Sequence, residues 1–215
     1  MSHTFIIASN NAHKVSEIQL LIGSDFTLKT LADIGFTEDI EETGNTLVEN
    51  ALIKARHIYA IYKQNCFADD SGLEIEELNG APGVYSARYA GEPVNHQKNN
   101  EKVLSALLGK SNRNAAFRTV IALIFEGQEF IFEGKIEGKI TESLKGINGF
   151  GYDPIFEDFM TEKTAAELDP IMKNKLSHLE TRPPQHQWPA QNLDARLDSA
   201  LPLVPKSPSP RGSNQ

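Results

Sequence analysis

Hydrophobic and polar residues alternate along the first part of this chain in blocks that predict an ordered series of strands and helices. The short apolar run at positions 5–8 predicts a strand, and the turn-forming residues 9–11 end it. Apolar residues then recur at helical spacing from Val15 to Ile22, and Gly23 is suited to end that helix. The chain therefore opens with a strand, a polar loop and a helix.

A second helix is predicted to begin at Thr46, because Thr46 and Glu49 have the spacing of a capping box. A third is predicted at about residues 100–108. Two long β-rich runs at 115–125 and 130–140 are joined by a short turn sequence, which predicts a hairpin. Helices alternating with strands, followed by a hairpin, indicate an α/β fold with a mixed β-sheet.

Composition narrows the class of protein. With 215 residues, of which 40% are hydrophobic, the chain is long enough for one domain with a packed core. A net charge of -8 argues against a nucleic-acid-binding surface but is compatible with a small anionic substrate. Cys66 is the single cysteine, so it suits a reducing compartment, and we expect it to be a small buried hydrophobic residue on a strand.

The N-terminal residues lack the pattern of a signal peptide, and no apolar run approaches the ~18 residues of a membrane helix. We therefore expect a soluble, cytoplasmic protein that binds neither membranes nor nucleic acids. After His178 the composition changes, because residues 180–215 hold seven of the eleven prolines. Proline at this density does not continue a helix or a central strand. The sequence thus predicts one domain over 1–179 and a disordered tail over 180–215.

The most informative segment is Asp69-Asp70-Ser71-Gly72, which directly follows a short apolar run. Adjacent carboxylates are costly to bury, and a divalent cation removes that cost. Mg²⁺ prefers hard oxygen ligands of this kind. Asp69 has an alternative role in which backbone donors hold it, and Ser71 and Gly72 are predicted to form a tight turn. The segment therefore predicts a magnesium site.

Three other polar segments have both a chemical and a structural interpretation. Residues 9–14 precede a helix, whose N-terminus favours anions, and Lys14 adds a positive charge; a simple turn is the alternative. The acidic pair Glu41 and Glu42 either stabilises a helix N-terminus or binds a cation. Residues 150–153 offer aromatic rings and an acceptor, which together could recognise a purine; a core aromatic beside a turn is the alternative.

Three of these blocks occur in a characteristic order: SNNAHK at 9–14, DDSG at 69–72 and GFGYD at 149–153. Together they resemble the signature of the inosine triphosphate pyrophosphatase family, over roughly residues 4–178. The resemblance implies an elongated mixed β-sheet with flanking helices and two lobes around a central substrate cleft. It also implies a homodimer and Mg²⁺-dependent hydrolysis of non-standard purine nucleoside triphosphates. ITP, dITP and XTP would be cleaved to the monophosphate and pyrophosphate, which removes them from the nucleotide pool.

The resemblance also assigns roles to individual residues. Asp70 is expected to act as general base or to orient water, and to bind the metal. Glu41 is assigned as the second metal ligand, with Glu42 as the alternative. Contacts with the purine nucleoside triphosphate are implied for Ser9, Asn10, Asn11, Ala12, His13, Lys14, Ser71, Phe150, Gly151, Tyr152, Asp153, Lys173 and His178.

One position departs from the family pattern. Leu179 follows Ser177-His178 where the family has arginine, a donor to the 6-keto oxygen of hypoxanthine or xanthine. Weaker discrimination between ITP and ATP is expected. Two alternatives stay open at this point: a Maf-like nucleotide pyrophosphatase with another base preference, and a nucleotide binder whose catalysis is impaired by the altered C-terminus.

Overall fold

The computed structural model describes residues 3–9, Val15, Gln19 and residues 26–168. These residues form one six-stranded sheet with the strand order β2-β1-β3-β4-β5-β6. The strands are β1 (His3–Ile7), β2 (Phe26–Lys29), β3 (Cys66–Ile75), β4 (Asn114–Phe125), β5 (Gln128–Ile140) and β6 (Phe156–Asp158).

The sheet is mixed, as the sequence predicts. β1 runs parallel to both β2 and β3, whereas the β3–β4, β4–β5 and β5–β6 pairs are antiparallel. Glu126 and Gly127 join β4 to β5, and both have positive φ angles, as a tight two-residue hairpin requires. The predicted α/β fold and hairpin are therefore confirmed. No helix among the described residues is long and apolar enough to cross a membrane.

Helix α1 (Leu47–Tyr62) covers one face of the sheet. Thr46 and Glu49 cap its N-terminus reciprocally, so the predicted capping box is confirmed. Ala51, Ala55 and Ile58 are fully buried along one stripe of this helix. They pack in a first hydrophobic cluster with residues of β3 and β4, including Cys66, Ala68, Val120, Ala122 and Ile124.

Helix α2 (His96–Ala106) begins four residues before its predicted start. The reason is Asn95, whose side chain accepts a hydrogen bond from the backbone N–H of Lys98 and caps the helix. Val103 on α2 and Leu107 just after it belong to a second hydrophobic cluster, which also contains Leu73, Ile75, Tyr152 and Phe156.

The two clusters lie on opposite faces of the sheet. Side chains alternate along a strand, so Cys66 and Ala68 of β3 face the first cluster, and Leu73 and Ile75 face the second. Residues 69–72 lie between these two pairs on β3, at the point where one hydrophobic cluster ends and the other begins on the opposite face. This arrangement places the acidic segment at the junction of two cores rather than within either.

One expectation for the acidic segment, the tight turn at Ser71 and Gly72, is wrong. Ser71 and Gly72 do not form a turn, because both lie inside β3 and pair with Thr119 and Arg118 of β4. Gly72 is needed for another reason. A Cβ atom there would lie 2.4 Å from the carbonyl oxygen of Gly83, in a 3₁₀ segment (Gly83–Arg88) that crosses the strand. The glycine therefore permits close packing of this segment.

We expect Gly72→Ala to destabilise the protein by about 1–3 kcal/mol, because the added methyl group meets backbone that has no room to move. A loss of this size lowers the melting temperature by about 2 to 12 °C in a protein of this length. Gly134→Ala on β5 is the matched control, since no atom lies within 4 Å of a Cβ added there. Equal melting temperatures for the two variants would contradict the packing argument.

Cys66 is fully buried, as expected, and its Sγ donates a hydrogen bond to the carbonyl oxygen of Ala55 at 3.3 Å. Burial raises the pKa of this thiol to about 12. The native protein therefore favours the thiol over the reactive thiolate, and the stability that this provides is lost as pH rises above the unfolded value of 9.0.

At pH 8 we expect iodoacetamide to label Cys66 at a negligible rate in the native protein and readily after denaturation. Mass spectrometry of both samples checks this. Rapid labelling of the native protein would show that the first cluster opens far more often than its packing implies.

Candidate active site

Among the residues that the structure describes, the pairing of β3 has a gap, and this gap creates the candidate site. β1 pairs with β3 only as far as Ile7 and Phe67, and the backbone N–H of Ala8 still donates to the Phe67 carbonyl. Beyond the gap, the hydroxyl of Ser86 accepts a hydrogen bond from the N–H of Leu73 at 2.8 Å. Residues 69–71 lie between these neighbours, and a cavity of about 400 Å³ opens beside them.

The cavity wall is strongly acidic. Five parts of the described chain contribute to it: the end of β1, the loop before α1, α1 itself, β3, and Ala87 of the 3₁₀ segment. Of the described residues that line it, one carries a positive charge, Lys54. Five carry carboxylates: Glu38, Asp39, Glu42, Asp69 and Asp70. A polyphosphate entering this cavity would meet net negative charge, so its binding would require added positive charge from a cation or from elsewhere in the chain.

Asp70 lies at the base of this wall. Its Oδ1 accepts a hydrogen bond from the N–H of Ser71 at 3.0 Å, whereas its buried Oδ2 has no hydrogen-bond partner among the described residues. Burial raises the pKa of Asp70. The ammonium of Lys54 opposes that effect, the carboxylate of Glu42 adds to it, and the Asn50 amide and the Ser71 N–H lower the pKa by smaller amounts.

Lys54 connects the two acidic segments. Its Nζ lies 2.7 Å from Glu42 Oε1 and 3.9 Å from Asp70 Oδ1. The sequence pattern alone did not indicate that this residue belongs to the site. The available signal was the pair Asn50 and Lys54, two polar residues four positions apart on a helix, each followed directly by a buried alanine.

The structure distinguishes the two acids of the 41–44 segment. Glu42 lines the cavity and pairs with Lys54, whereas Glu41 is exposed and is not among the lining residues that the structure describes. The assignment of Glu41 as the first choice for the metal, with Glu42 as the alternative, stays a prediction. These neighbouring side chains point to different sides of the segment, so one of them faces the cavity.

Asp70 and Glu42 are suited to a hard cation. An ionised carboxylate offers about four lone-pair sites, and Asp70 keeps one buried oxygen without a donor. Among the described residues, however, no group of three or more histidine, cysteine, aspartate or glutamate side chains could hold a metal ion. Two protein carboxylates completed by substrate phosphates and water are typical of Mg²⁺ at nucleotide sites.

The structure describes some of the predicted phosphate-binding residues but not all of them. Ser9 lies at the cavity wall directly after β1, and Ser71 lies there too, with its hydroxyl 3.0 Å from that of Thr119. Asn10, Asn11, Ala12, His13 and Lys14 lie outside the described residues, as do Lys173, His178, Leu179 and the predicted tail.

The predicted base-binding block lies apart from the described cavity wall. Phe150 is 64% exposed and its ring centroid is 6.5 Å from that of His96. Asp153 accepts a hydrogen bond from the N–H of Phe150 at 2.8 Å, which closes the loop. The carbonyl oxygen of Gly151 accepts one from Asn100.

Tyr152 does not offer an open aromatic face. Its ring is 5% exposed within the second cluster, and its hydroxyl donates to the carbonyl oxygen of Ser86 at 2.8 Å. Burial raises the pKa of this hydroxyl. Because Ser86 borders the gap in β3, this bond ties the base-binding block to the segment beside the cavity.

Comparison with known proteins agrees with the motif-based resemblance. The sequence model of the Ham1 family matches residues 5–181, close to the predicted extent of 4–178. A Flavobacterium johnsoniae protein named dITP/XTP pyrophosphatase is 49% identical over 173 residues, or 80% of this chain and 90% of the relative. Another dITP/XTP pyrophosphatase, from Bacillus subtilis, is 50% identical over 177 residues, or 80% of this chain and 89% of the relative.

The fold agrees as well. A solved structure of a HAM1 protein from Coxiella burnetii superposes with a TM-score of 0.79 and 41% sequence identity. The match covers 92% of this chain and 100% of that one. These matches favour the predicted family over the Maf-like alternative. The chain belongs to the Ham1 family.

Proposed function

We propose that this protein hydrolyses non-standard purine nucleoside triphosphates, namely ITP, dITP and XTP, to the nucleoside monophosphate and pyrophosphate. The observation that carries the proposal is the convergence of Asp70, Glu42 and Lys54 on one acidic cavity at a gap in the sheet. Relatives at about half sequence identity are named for this activity. The 6-keto purine is the feature common to the three substrates.

Mg²⁺ is the proposed cofactor, held by Asp70 and Glu42. When bound, the cation would neutralise phosphate oxygens and polarise the phosphorus that water attacks. The acidity of the cavity is the reason to expect a cation there, since five carboxylates face one lysine among the described lining residues. Lys54 pairs with Glu42 and lines the same cavity, so its ammonium would contact a phosphate oxygen of the bound nucleotide.

Asp70 is the proposed general base. It would orient a water molecule toward the α-phosphorus and accept its proton as the new oxygen–phosphorus bond forms. The bond between the α-phosphorus and the bridging oxygen breaks, and pyrophosphate leaves. Burial raises the proton affinity of the Asp70 carboxylate, which favours this role, while the nearby ammonium of Lys54 keeps it from becoming a neutral acid too readily.

The substrate contacts extend the proposal beyond the cavity. Ser9 and the loop up to Lys14 would bind the triphosphate at the end of β1, with Ser71 as a further donor. Phe150 would stack on the purine, since its exposed ring can reach a base whereas Tyr152 is packed in the core. Lys173 and His178 complete the base contacts that the resemblance implies.

The cellular role, the oligomeric state and the compartment are also proposals. Hydrolysis of these nucleotides removes them from the pool available to polymerases. A homodimer in the cytoplasm is proposed from the family resemblance, and the buried reduced thiol of Cys66 is compatible with that compartment.

A substrate panel tests the proposed function. Pyrophosphate release is measured for ITP, dITP, XTP, ATP and GTP with Mg²⁺, beside orthophosphate release. The proposal predicts pyrophosphate release with a preference for the first three nucleotides, a preference weakened by Leu179. Orthophosphate as the first product, or a preference for ATP, would contradict it.

A further inference from the structure

Helix α1 carries a buried polar residue beside the candidate site that the proposed mechanism does not use. Asn50 has no exposed surface and lies one helical turn before Lys54. A buried carboxamide is costly unless hydrogen bonds satisfy both of its ends. Those two ends are directed at the two acidic segments of the site.

The oxygen of Asn50 holds the segment that carries Glu42. Its Oδ1 accepts a hydrogen bond from the backbone N–H of Gly44 at 2.8 Å. The approach is close, because a Cβ atom on Gly44 would lie 2.6 Å from the same oxygen. Glycine at this position and asparagine on the helix thus fit one another, and Glu42 is fixed two residues away.

The nitrogen of Asn50 is a hydrogen-bond donor available to Asp70. Asn50 Nδ2 and Asp70 Oδ2 are both buried, and neither has a hydrogen-bond partner in the part of the chain that the structure describes. The two atoms are a complementary donor and acceptor. The amide also favours the ionised form of Asp70, against the larger effect of burial on the pKa of that residue. A hydrogen bond between the two groups satisfies both and leaves Asp70 Oδ2 a second lone pair for other use.

We infer that Asn50 is a positioning residue, whose single carboxamide orients the Asp70 carboxylate and fixes the Glu42 segment beside it. The inference rests on the proposed function, because it assigns Asn50 a part in the same hydrolysis. The alternative is that Asn50 is a purely structural residue of the core, whose amide matters only for packing and folding.

Two variants separate these roles. Asn50→Ala removes both ends of the amide, whereas Asn50→Asp keeps an acceptor for the Gly44 N–H and removes the donor to Asp70. Loss of a group that orients a metal ligand typically costs about 10- to 100-fold in activity, and we expect kcat to fall by this factor in both variants. For Asn50→Ala, KM should stay within about threefold, because the lost interaction acts on the reacting groups rather than on substrate binding.

Asn99→Ala is the matched control. Asn99 is 1% exposed on α2 and bonds to the backbone of residues 86, 87 and 90, so its loss tests the effect of deleting a buried asparagine. We expect it to lower the melting temperature and to lower kcat less than Asn50→Ala does, because Asn99 holds the segment beside the cavity and not the two acidic segments themselves. A folded Asn50 variant with the kcat of the unsubstituted protein would overturn the inference, and so would loss of the fold in both Asn50 variants.

Binding of Mn²⁺, followed by electron paramagnetic resonance without nucleotide, provides a readout that does not depend on turnover. We expect the dissociation constant to rise about tenfold in Asn50→Ala and to be unchanged in Asn99→Ala. If the protein releases no pyrophosphate from any nucleotide, the proposed hydrolysis fails, yet weaker Mn²⁺ binding by Asn50→Ala still supports the positioning role. Equal binding by the two variants, or no binding by the unsubstituted protein, would overturn that role.

Discussion

Replacing Asp70 with asparagine is expected to lower turnover of dITP by more than about 100-fold, the effect typical of losing a general base. Asparagine has the size and shape of aspartate but neither accepts the proton nor carries charge for a cation. The fold should be retained, because burial already disfavours the charged form of Asp70 and the neutral amide removes that penalty. Steady-state kinetics and thermal unfolding measure the two effects separately.

Asp33→Asn is a suitable control for this substitution. Asp33 is an exposed aspartate whose carboxylate accepts hydrogen bonds from Thr30, and it is not among the described residues that line the cavity. Its replacement should leave turnover unchanged. If a folded Asp70→Asn protein kept most of its activity, Asp70 would be neither the base nor an essential metal ligand.

Replacing Glu42 with glutamine is expected to have the second largest effect. The substitution removes a proposed metal ligand and the partner of Lys54, and a charged hydrogen-bonding group of this kind is worth about 1.5–3 kcal/mol. Turnover at limiting Mg²⁺ should therefore fall by about 10- to 100-fold, with partial recovery at high Mg²⁺. The measurement is a Mg²⁺ titration of turnover at saturating nucleotide.

Glu41→Gln is the natural comparison, since it removes the same charge one residue away. Because Glu41 is exposed and lies outside the described cavity wall, its loss should change the Mg²⁺ requirement little. A larger effect from Glu41→Gln than from Glu42→Gln would reverse the assignment and require the 41–44 segment to turn over when the cation binds.

Features that depend on residues close in sequence could be predicted from the sequence. The capping box joins Thr46 to Glu49, three residues apart, so its residue types and spacing are sufficient evidence. The hairpin between β4 and β5 depends on a two-residue turn that contains glycine. The family motifs likewise indicated Asp70, because they read as continuous short blocks.

Features that depend on contacts between distant parts of the chain could not be predicted from the sequence. Gly72 looked like a turn residue, but its role follows from Gly83, which approaches the strand from eleven residues further along the chain. The choice between Glu41 and Glu42 depends on which of them faces α1, and spacing gives no information on that. Lys54 and Asn50 were missed because a polar residue within a helix is normally expected on its solvent face.

The most direct test of the account is hydrolysis of dITP in ¹⁸O-labelled water with Mg²⁺, followed by mass spectrometry of both products. We expect pyrophosphate and a nucleoside monophosphate, with the label in the monophosphate, because water attacks the α-phosphorus beside Asp70. Label in the pyrophosphate, release of orthophosphate, or no turnover of dITP by the folded protein would contradict it.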